Sequence, residues 1–237
     1  MKKISLYLSL MIFSGSLIGQ INNGDFENWT KKKLYDYPTM WNSSNQEFRG
    51  ITQNAIKSSD AQHLTSSIKL ETTLVNGDTT FAFVLHGEPN DTGIGGGIPF
   101  TGTIDSLIFW VKYSIVAGDS ATAIIITKNS GFATGTDVMK WTGLQSVWTR
   151  KALKVSSTLP VDSIIVGFVS GNAFEDYSYP GSWVLLDNVS VKLTSGTVHI
   201  SIGKNSNSPL SGLNNCNLHK TQPIIKTDII GRLFSFG

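Results

Sequence analysis

Hydrophobic residues recur at every second position through much of this chain. Ile68 and Leu70 alternate with polar neighbours, as do Phe81, Phe83 and Leu85. Further β-type runs follow at residues 106–113, 121–127, 152–155, 163–169 and 183–193, separated by Gly, Asn, Asp, Ser and Pro. Alternation puts every second side chain on a common sheet face, so each run predicts a strand. Two runs, Ala123-Ile124-Ile125-Ile126 and Ile164-Ile165-Val166, are apolar at consecutive positions and predict central strands buried on both faces. Helical periodicity is not persuasive between residues 22 and 193. The pattern therefore predicts an all-β fold: an antiparallel β-sandwich, jelly roll in topology, over residues 20–194.

The two ends differ from this pattern. Lys2 and Lys3 precede an apolar stretch at residues 4–18 that closes on Gly19, the order of a secretory signal peptide over residues 1–19. No Cys follows the expected cleavage before Gln20, so lipid anchoring is not expected, and the mature chain reads as secreted, extracellular or cell-surface. After Leu193 the chain turns to Ser, Asn and Gly, and residues 195–222 read as a poorly ordered linker. A short apolar tail at residues 223–237 ends the sequence. The lone Cys216 cannot form an internal disulfide, so stability must come from a large core or from metal ions.

Composition narrows the function classes. The 237 residues carry 19 Lys and Arg against 17 Asp and Glu, with no basic cluster, which removes the electrostatic footprint needed for nucleic acid. Beyond the N-terminus no apolar run is long enough for a membrane span. His63, His86, His199 and His219 stand far apart and read as surface residues rather than as zinc ligands. Gly-x-Ser-x-Gly is absent, and Gly118-Asp119-Ser120 is followed by Ala121, which breaks the serine-esterase pattern. The adjacent Glu175 and Asp176 would point to opposite faces of a strand, unlike the same-side acid pair of a glycosidase. The chain names no catalytic constellation, and the reading leans away from an enzyme.

What remains is aromatic and loop surface. Sugars present apolar C–H faces ringed by hydroxyls, so a flat aromatic beside polar groups suits them. Trp41, Trp110 and Trp148 lie in or beside predicted strands and read as core. Trp141, in the polar run 137–146, and Tyr177 and Tyr179, in the loop 171–181 with Glu175 and Asp176, read as exposed ligand-binding candidates. Residues 87–102, with three consecutive glycines, read as a second long loop.

Several segments carry a resemblance. Asn23-Gly24-Asp25-Phe26-Glu27-Asn28-Trp29, Tyr37-Pro38-Thr39-Met40-Trp41, Ser106-Leu107-Ile108-Phe109-Trp110-Val111-Lys112-Tyr113 and Gly181-Ser182-Trp183-Val184-Leu185-Leu186-Asp187-Asn188-Val189 occur in that order. Ser67-Ile68-Lys69-Leu70, Pro99-Phe100 and Gly118-Asp119-Ser120-Ala121 fall among them. Together they resemble the jelly-roll domains of secreted Bacteroidetes proteins of the carbohydrate-metabolism and carbohydrate-binding type, over residues 22–193. The resemblance implies a non-catalytic module that binds glycan or cell-surface polysaccharide. An adhesion or structural envelope protein without sugar binding, and a polysaccharide-active hydrolase with an unrecognised site, are the alternatives. It also implies a structural calcium held by Glu27 and Asp187, with Asp25 and Asp60 to complete the shell. Ca²⁺ takes six to eight oxygens, which suits such a set. The alternative for Glu27 and Asp187 is that they accept N–H bonds at strand ends or pair with a lysine. Ile225-Lys226-Thr227-Asp228-Ile229-Ile230-Gly231-Arg232 resembles a C-terminal sorting domain read by the type IX secretion machinery, although here the chain stops a few residues later.

Overall fold

The computed structural model describes residues 18–47, 52–87, 97–172 and 179–194. The first half of the chain is made of short elements: β1 (Ile18–Gln20), β2 (Trp29–Lys31), β3 (Asp36–Pro38), β4 (Asn42–Ser43), the one-turn helix α1 (Ser44–Glu47), β5 (Ala55–Ser58), β6 (Ser67–Glu71), β7 (Thr73–Val75), β8 (Asp78–Thr80) and β9 (Phe83–His86). The second half has longer strands: β10 (Ile98–Gly102), β11 (Ile104–Ser114), β12 (Ala121–Asn129), β13 (Phe132–Trp141), β14 (Leu144–Lys154), β15 (Val161–Val169) and β16 (Trp183–Leu193). One sheet runs β14-β11-β16-β6-β5, with β1 also on β16; the other runs β13-β12-β15-β9-β4, with β10 also on β15. Every pairing within them is antiparallel. Two small ribbons, β2-β3 and β7-β8, stand beside the sandwich.

The core follows the pleat. Leu107, Phe109, Val111 and Tyr113 of β11 and Val184, Leu186 and Val191 of β16 face Ala123 and Ile125 of β12 and Ile164, Val166 and Phe168 of β15. The expected two-faced strands are present. Ile124, Ile126, Ile165 and Leu85 form a second buried cluster, distinct from the main core.

Where the structure departs from expectation, sheet position explains it. The polar run 137–146 is the end of β13, a two-residue connection and the start of β14. Both strands lie at sheet edges, where one face meets solvent and tolerates polar residues. Residues 98–102, placed in a long loop by their Gly and Pro content, form β10 at the rim of β15. The expected signal peptide lies outside the described residues except for Ile18 and Gly19, which open β1. The linker and tail beyond Thr194 lie outside them too.

His86 is a further correction, since it is 1% exposed rather than a surface residue. Its ring stands edge-on to Trp41 at 4.6 Å, and its Nε2 donates to the Asn22 carbonyl at 3.0 Å. Nδ1 has no partner. Burial disfavours the imidazolium and outweighs the Asn22 carbonyl, lowering the pKa from 6.5 to about 4. Between those values the unfolded chain binds a proton that the folded one refuses, so stability falls as pH drops from 6.5 to about 4. The loss sums to about 3 kcal/mol. Urea midpoints measured across this window should decline, and His86→Gln should flatten the decline even if it lowers stability at neutral pH.

Candidate functional site

The segment Asn23-Gly24-Asp25-Phe26-Glu27-Asn28-Trp29 is a turn that seats itself against β16. The Asn23 Nδ2 donates to the carbonyls of Asn28 (2.9 Å) and Thr39 (2.8 Å), while its Oδ1 accepts the Asn28 amide (2.9 Å). Phe26, with φ 51°, is fully buried and packs on Trp41 at 5.0 Å. The Trp29 Nε1 closes the turn on the Phe26 carbonyl at 2.7 Å. Gly24 accepts the Val189 amide at 2.7 Å.

That docking is possible because β16 changes neighbours. β6 pairs with Trp183–Leu186 of β16, and β1 pairs with its residues 190–192. Between them Asn188 takes a φ of 49°, and the register against β11 shifts between Ile108 and Trp110. A bulge of this kind bends a strand and frees backbone groups for other partners. The Gly24 turn fills the opening.

Asp187, at the bulge, is fully buried on the outer side of the sheet. Its Oδ2 accepts the amides of Gln62 (2.7 Å) and His63 (2.8 Å), and its Oδ1 accepts the Asn188 amide (2.7 Å). Burial raises its pKa despite these amides. Glu27 takes hold of the same loop further on: Oε1 accepts the amides of Thr65 (2.8 Å) and Ser66 (2.7 Å), and Oε2 the Thr65 hydroxyl (2.7 Å). Burial pushes the Glu27 carboxyl up, but the combined bonds from Thr65 and Ser66 hold it below the ordinary range. Asp60 is the third tie, with Oδ2 on Lys112 Nζ at 2.5 Å and Oδ1 accepting from Trp148 Nε1 at 3.0 Å. Residues 59–66 are thereby strapped across the outer face of the β14-β11-β16-β6-β5 sheet.

Of the four residues assigned to calcium, the structure uses Glu27, Asp187 and Asp60 as hydrogen-bond anchors of this strap, while Asp25 lies apart in the groove described below. Among the described residues no three His, Cys, Asp or Glu side chains converge to hold a metal ion. The donors aimed at Glu27 and Asp187 are N–H and O–H groups, which do the work of a cation at those oxygens. This donor set does not fit the expected ion. Removing trace metal with a chelator should therefore leave Tm unchanged. Glu27→Gln should cost about 1–2 kcal/mol in urea denaturation, because it points an NH2 at donors. A melting temperature that drops on chelation would restore the ion.

Beside the strap lies a groove of about 430 Å³. Its floor is Ile108 and Trp110 of β11. Arg150 of β14 stands on one side, and Asn188, Val189 and Ser190 of β16 lie on the other. Asp25, Gln20 and His63 complete its polar rim. The size falls within the roughly 300–1,000 Å³ of small-molecule sites. Trp110 is half-buried, directly opposite Arg150 on β14 and Asp187 on β16. Its outward direction follows from parity with Lys112 and Ser114, while Phe109 and Val111 point inward.

The aromatic candidates exchange places. Trp110 and Trp148, read as core, lie half-buried on the outer face. Trp141, read as exposed, is only 7% exposed. It pairs with Ala121, and its ring packs on Phe109 at 5.8 Å and Tyr113 at 6.0 Å. The small Ala121 and Ala123 on the neighbouring strand leave room for the indole. Trp41 is core, as expected. Tyr179 is 40% exposed; its ring lies over Gly118, and its amide donates to Asp119 at 3.2 Å. Asp119 also accepts the Asn172 amide at 2.9 Å, so the Asp of the esterase-like tripeptide holds the amides of both Asn172 and Tyr179. Tyr177, Glu175 and Asp176 lie outside the described residues. Of the two described candidates, Trp141 is thus a core residue and Tyr179 an exposed one.

No protein-family model matches the chain, and a search of curated proteins returns no match. Among solved structures the chain is similar to TmCBM61 in complex with β-1,4-galactotriose, at 9% identity and a TM-score of 0.43 over 73% of this chain and 93% of that one. A family 16 carbohydrate-binding module shows 12% identity and a TM-score of 0.38, over 58% of this chain and 84% of that one. The enzymatically active domain of tailspike protein 4 of bacteriophage CBA120 shows 17% identity and a TM-score of 0.44, over 75% of this chain but 22% of that one.

Proposed function

We propose that this chain is an exported, non-catalytic β-sandwich module that binds glycan or cell-surface polysaccharide in the groove over Trp110. The observation that carries the reading is the half-buried Trp110 ring on the outer sheet face, beside Arg150, Asp25, Asn188 and Ser190 in one open groove. An indole supplies the flat apolar platform that a pyranose C–H face requires, and the polar rim supplies partners for its hydroxyls. Pre-formed geometry favours affinity, because the platform is fixed by a β-strand and the strap is tied down by three carboxylates. Hydrolysis of a glycosidic bond would need a second carboxylate facing the first across the substrate. Among the described residues lining the groove, Asp25 is the single carboxylate. Export rests on the N-terminal sequence, and the tail would be what type IX secretion machinery reads.

The test is a glycan-array screen of the full chain followed by calorimetry on any hit, with the Trp110→Ala variant alongside. Saturable binding that depends on Trp110 supports the reading. Binding to no glycan, or binding indifferent to Trp110, removes it.

A further inference from the structure

We infer that the groove selects an acidic glycan, with the Arg150 guanidinium paired to the carboxylate of a uronic acid unit stacked at Trp110. The inference rests on the glycan reading above and adds the substrate class.

The outer face of this sheet carries five cations, and four of them have acidic partners. Lys69 pairs with Glu71 at 2.6 Å and Lys112 with Asp60 at 2.5 Å. Lys154 and Lys192 share Asp105, the latter at 3.5 Å. Lys69 and Lys112 also stand over the Trp183 and Trp148 rings, each 5.7 Å from the centroid. Arg150 is the exception. Among the described residues it makes no ion pair, hydrogen bond or ring contact, yet it lines the groove opposite Trp110. A guanidinium presents a planar fork of donors that matches a carboxylate with two parallel bonds, which neither a hydroxyl nor a lysine ammonium reproduces.

The groove's other charged side chain is Asp25, and sheet order separates it from Arg150. Arg150 lies one strand from Trp110 on the β14 side. Asp25 belongs to the turn docked beyond β16, on the opposite side of β11. Neighbouring strands are roughly 5 Å apart, so the two charges flank the indole from opposite sides rather than cancelling. A ligand is thereby oriented with its anionic unit toward β14 and its hydroxyls toward Asp25, which would repel a second carboxylate placed there.

The experiment compares a panel of polyuronates with the same polymers after chemical reduction of their carboxyl groups to hydroxymethyl, so that each backbone is its own neutral control. Calorimetry or affinity electrophoresis with the full chain should show each bound polyuronate losing at least about tenfold in affinity on reduction. Arg150→Gln should abolish that preference while leaving Tm unchanged, and Arg150→Lys should restore it only in part. Asp25→Asn should strengthen binding of polyuronates and leave the reduced polymers little affected. If neutral and acidic forms bind equally and Arg150→Gln changes nothing, the acidic class is wrong while glycan binding stands. If neither form binds, glycan binding itself is wrong and the inference falls with it.

Discussion

Gly24→Ala should cost about 4 kcal/mol of a total that for domains of this kind is about 5–15 kcal/mol. A β-carbon at this position would sit 2.1 Å from the Val189 carbonyl oxygen and 3.1 Å from the Val189 carbonyl carbon and the Ile21 oxygen. All three are backbone atoms, so no rotamer change relieves the clash. The turn would have to lift off β16, breaking the 2.7 Å bond from the Val189 amide to Gly24. Phe26, fully buried two residues later, would be drawn out of the core with it. Gly77→Ala is the control. Gly77 has φ +95° but nothing within 4 Å, so only backbone strain of about 1 kcal/mol is expected. Urea midpoints with unchanged slope measure both. A Gly24→Ala protein as stable as the parent would mean that the turn is not seated on β16 at all.

The same turn marks how far the sequence could be read. Period-two alternation over residues 106–113 and consecutive apolar runs at 123–126 and 164–166 depend only on neighbours along the chain, and they identify the inner strands. β13 is not among the predicted strands because an edge strand needs only one apolar face, and Thr134, Thr136 and Lys140 break its alternation. The outward Trp110 and the buried Trp141 both run against the expectation from sequence. Parity held the answer for Trp110, since Ser106, Lys112 and Ser114 share its face and mark that face as outward. Trp141 shares the inward face of β13 with Met139, while Thr136, Val138 and Lys140 face outward, and the small Ala121 and Ala123 on the next strand leave room for the indole. The strap is less legible still. Asp187 holds amides 124 and 125 residues earlier in the chain, and Glu27 holds amides 38 and 39 residues later. The resemblance singles out these two carboxylates, but their donors are set only by the three-dimensional fold. Three of the four candidate loop residues, Glu175, Asp176 and Tyr177, lie outside the described residues.

Trp110→Ala should sharply weaken glycan binding while leaving the fold in place. The ring is half-buried on the outer face and stands outside the aromatic chain of the interior, where Phe26 meets Trp41, Trp41 meets Phe168, and Phe168 meets Phe109. Its loss removes the stacking platform but opens no core cavity, so Tm should move by only a few degrees. The affinity should fall by at least about thirtyfold, corresponding to about 2 kcal/mol, as for a central aromatic anchor in a recognition site. Trp110→Phe, which keeps a smaller platform, should recover part of it. Trp141→Ala supplies the reverse pattern. That indole packs between Phe109 and Tyr113, so its deletion should cost about 3–5 kcal/mol of stability. Whatever fraction stays folded should still bind, since the Trp110 groove lies on the other face of the sheet. Calorimetric titration and thermal melts of the two variants, run side by side, separate a residue that recognises ligand from one that fills the core. The groove is displaced as the site if Trp110→Ala binds as tightly as the parent, or if Trp141→Ala loses affinity without losing stability.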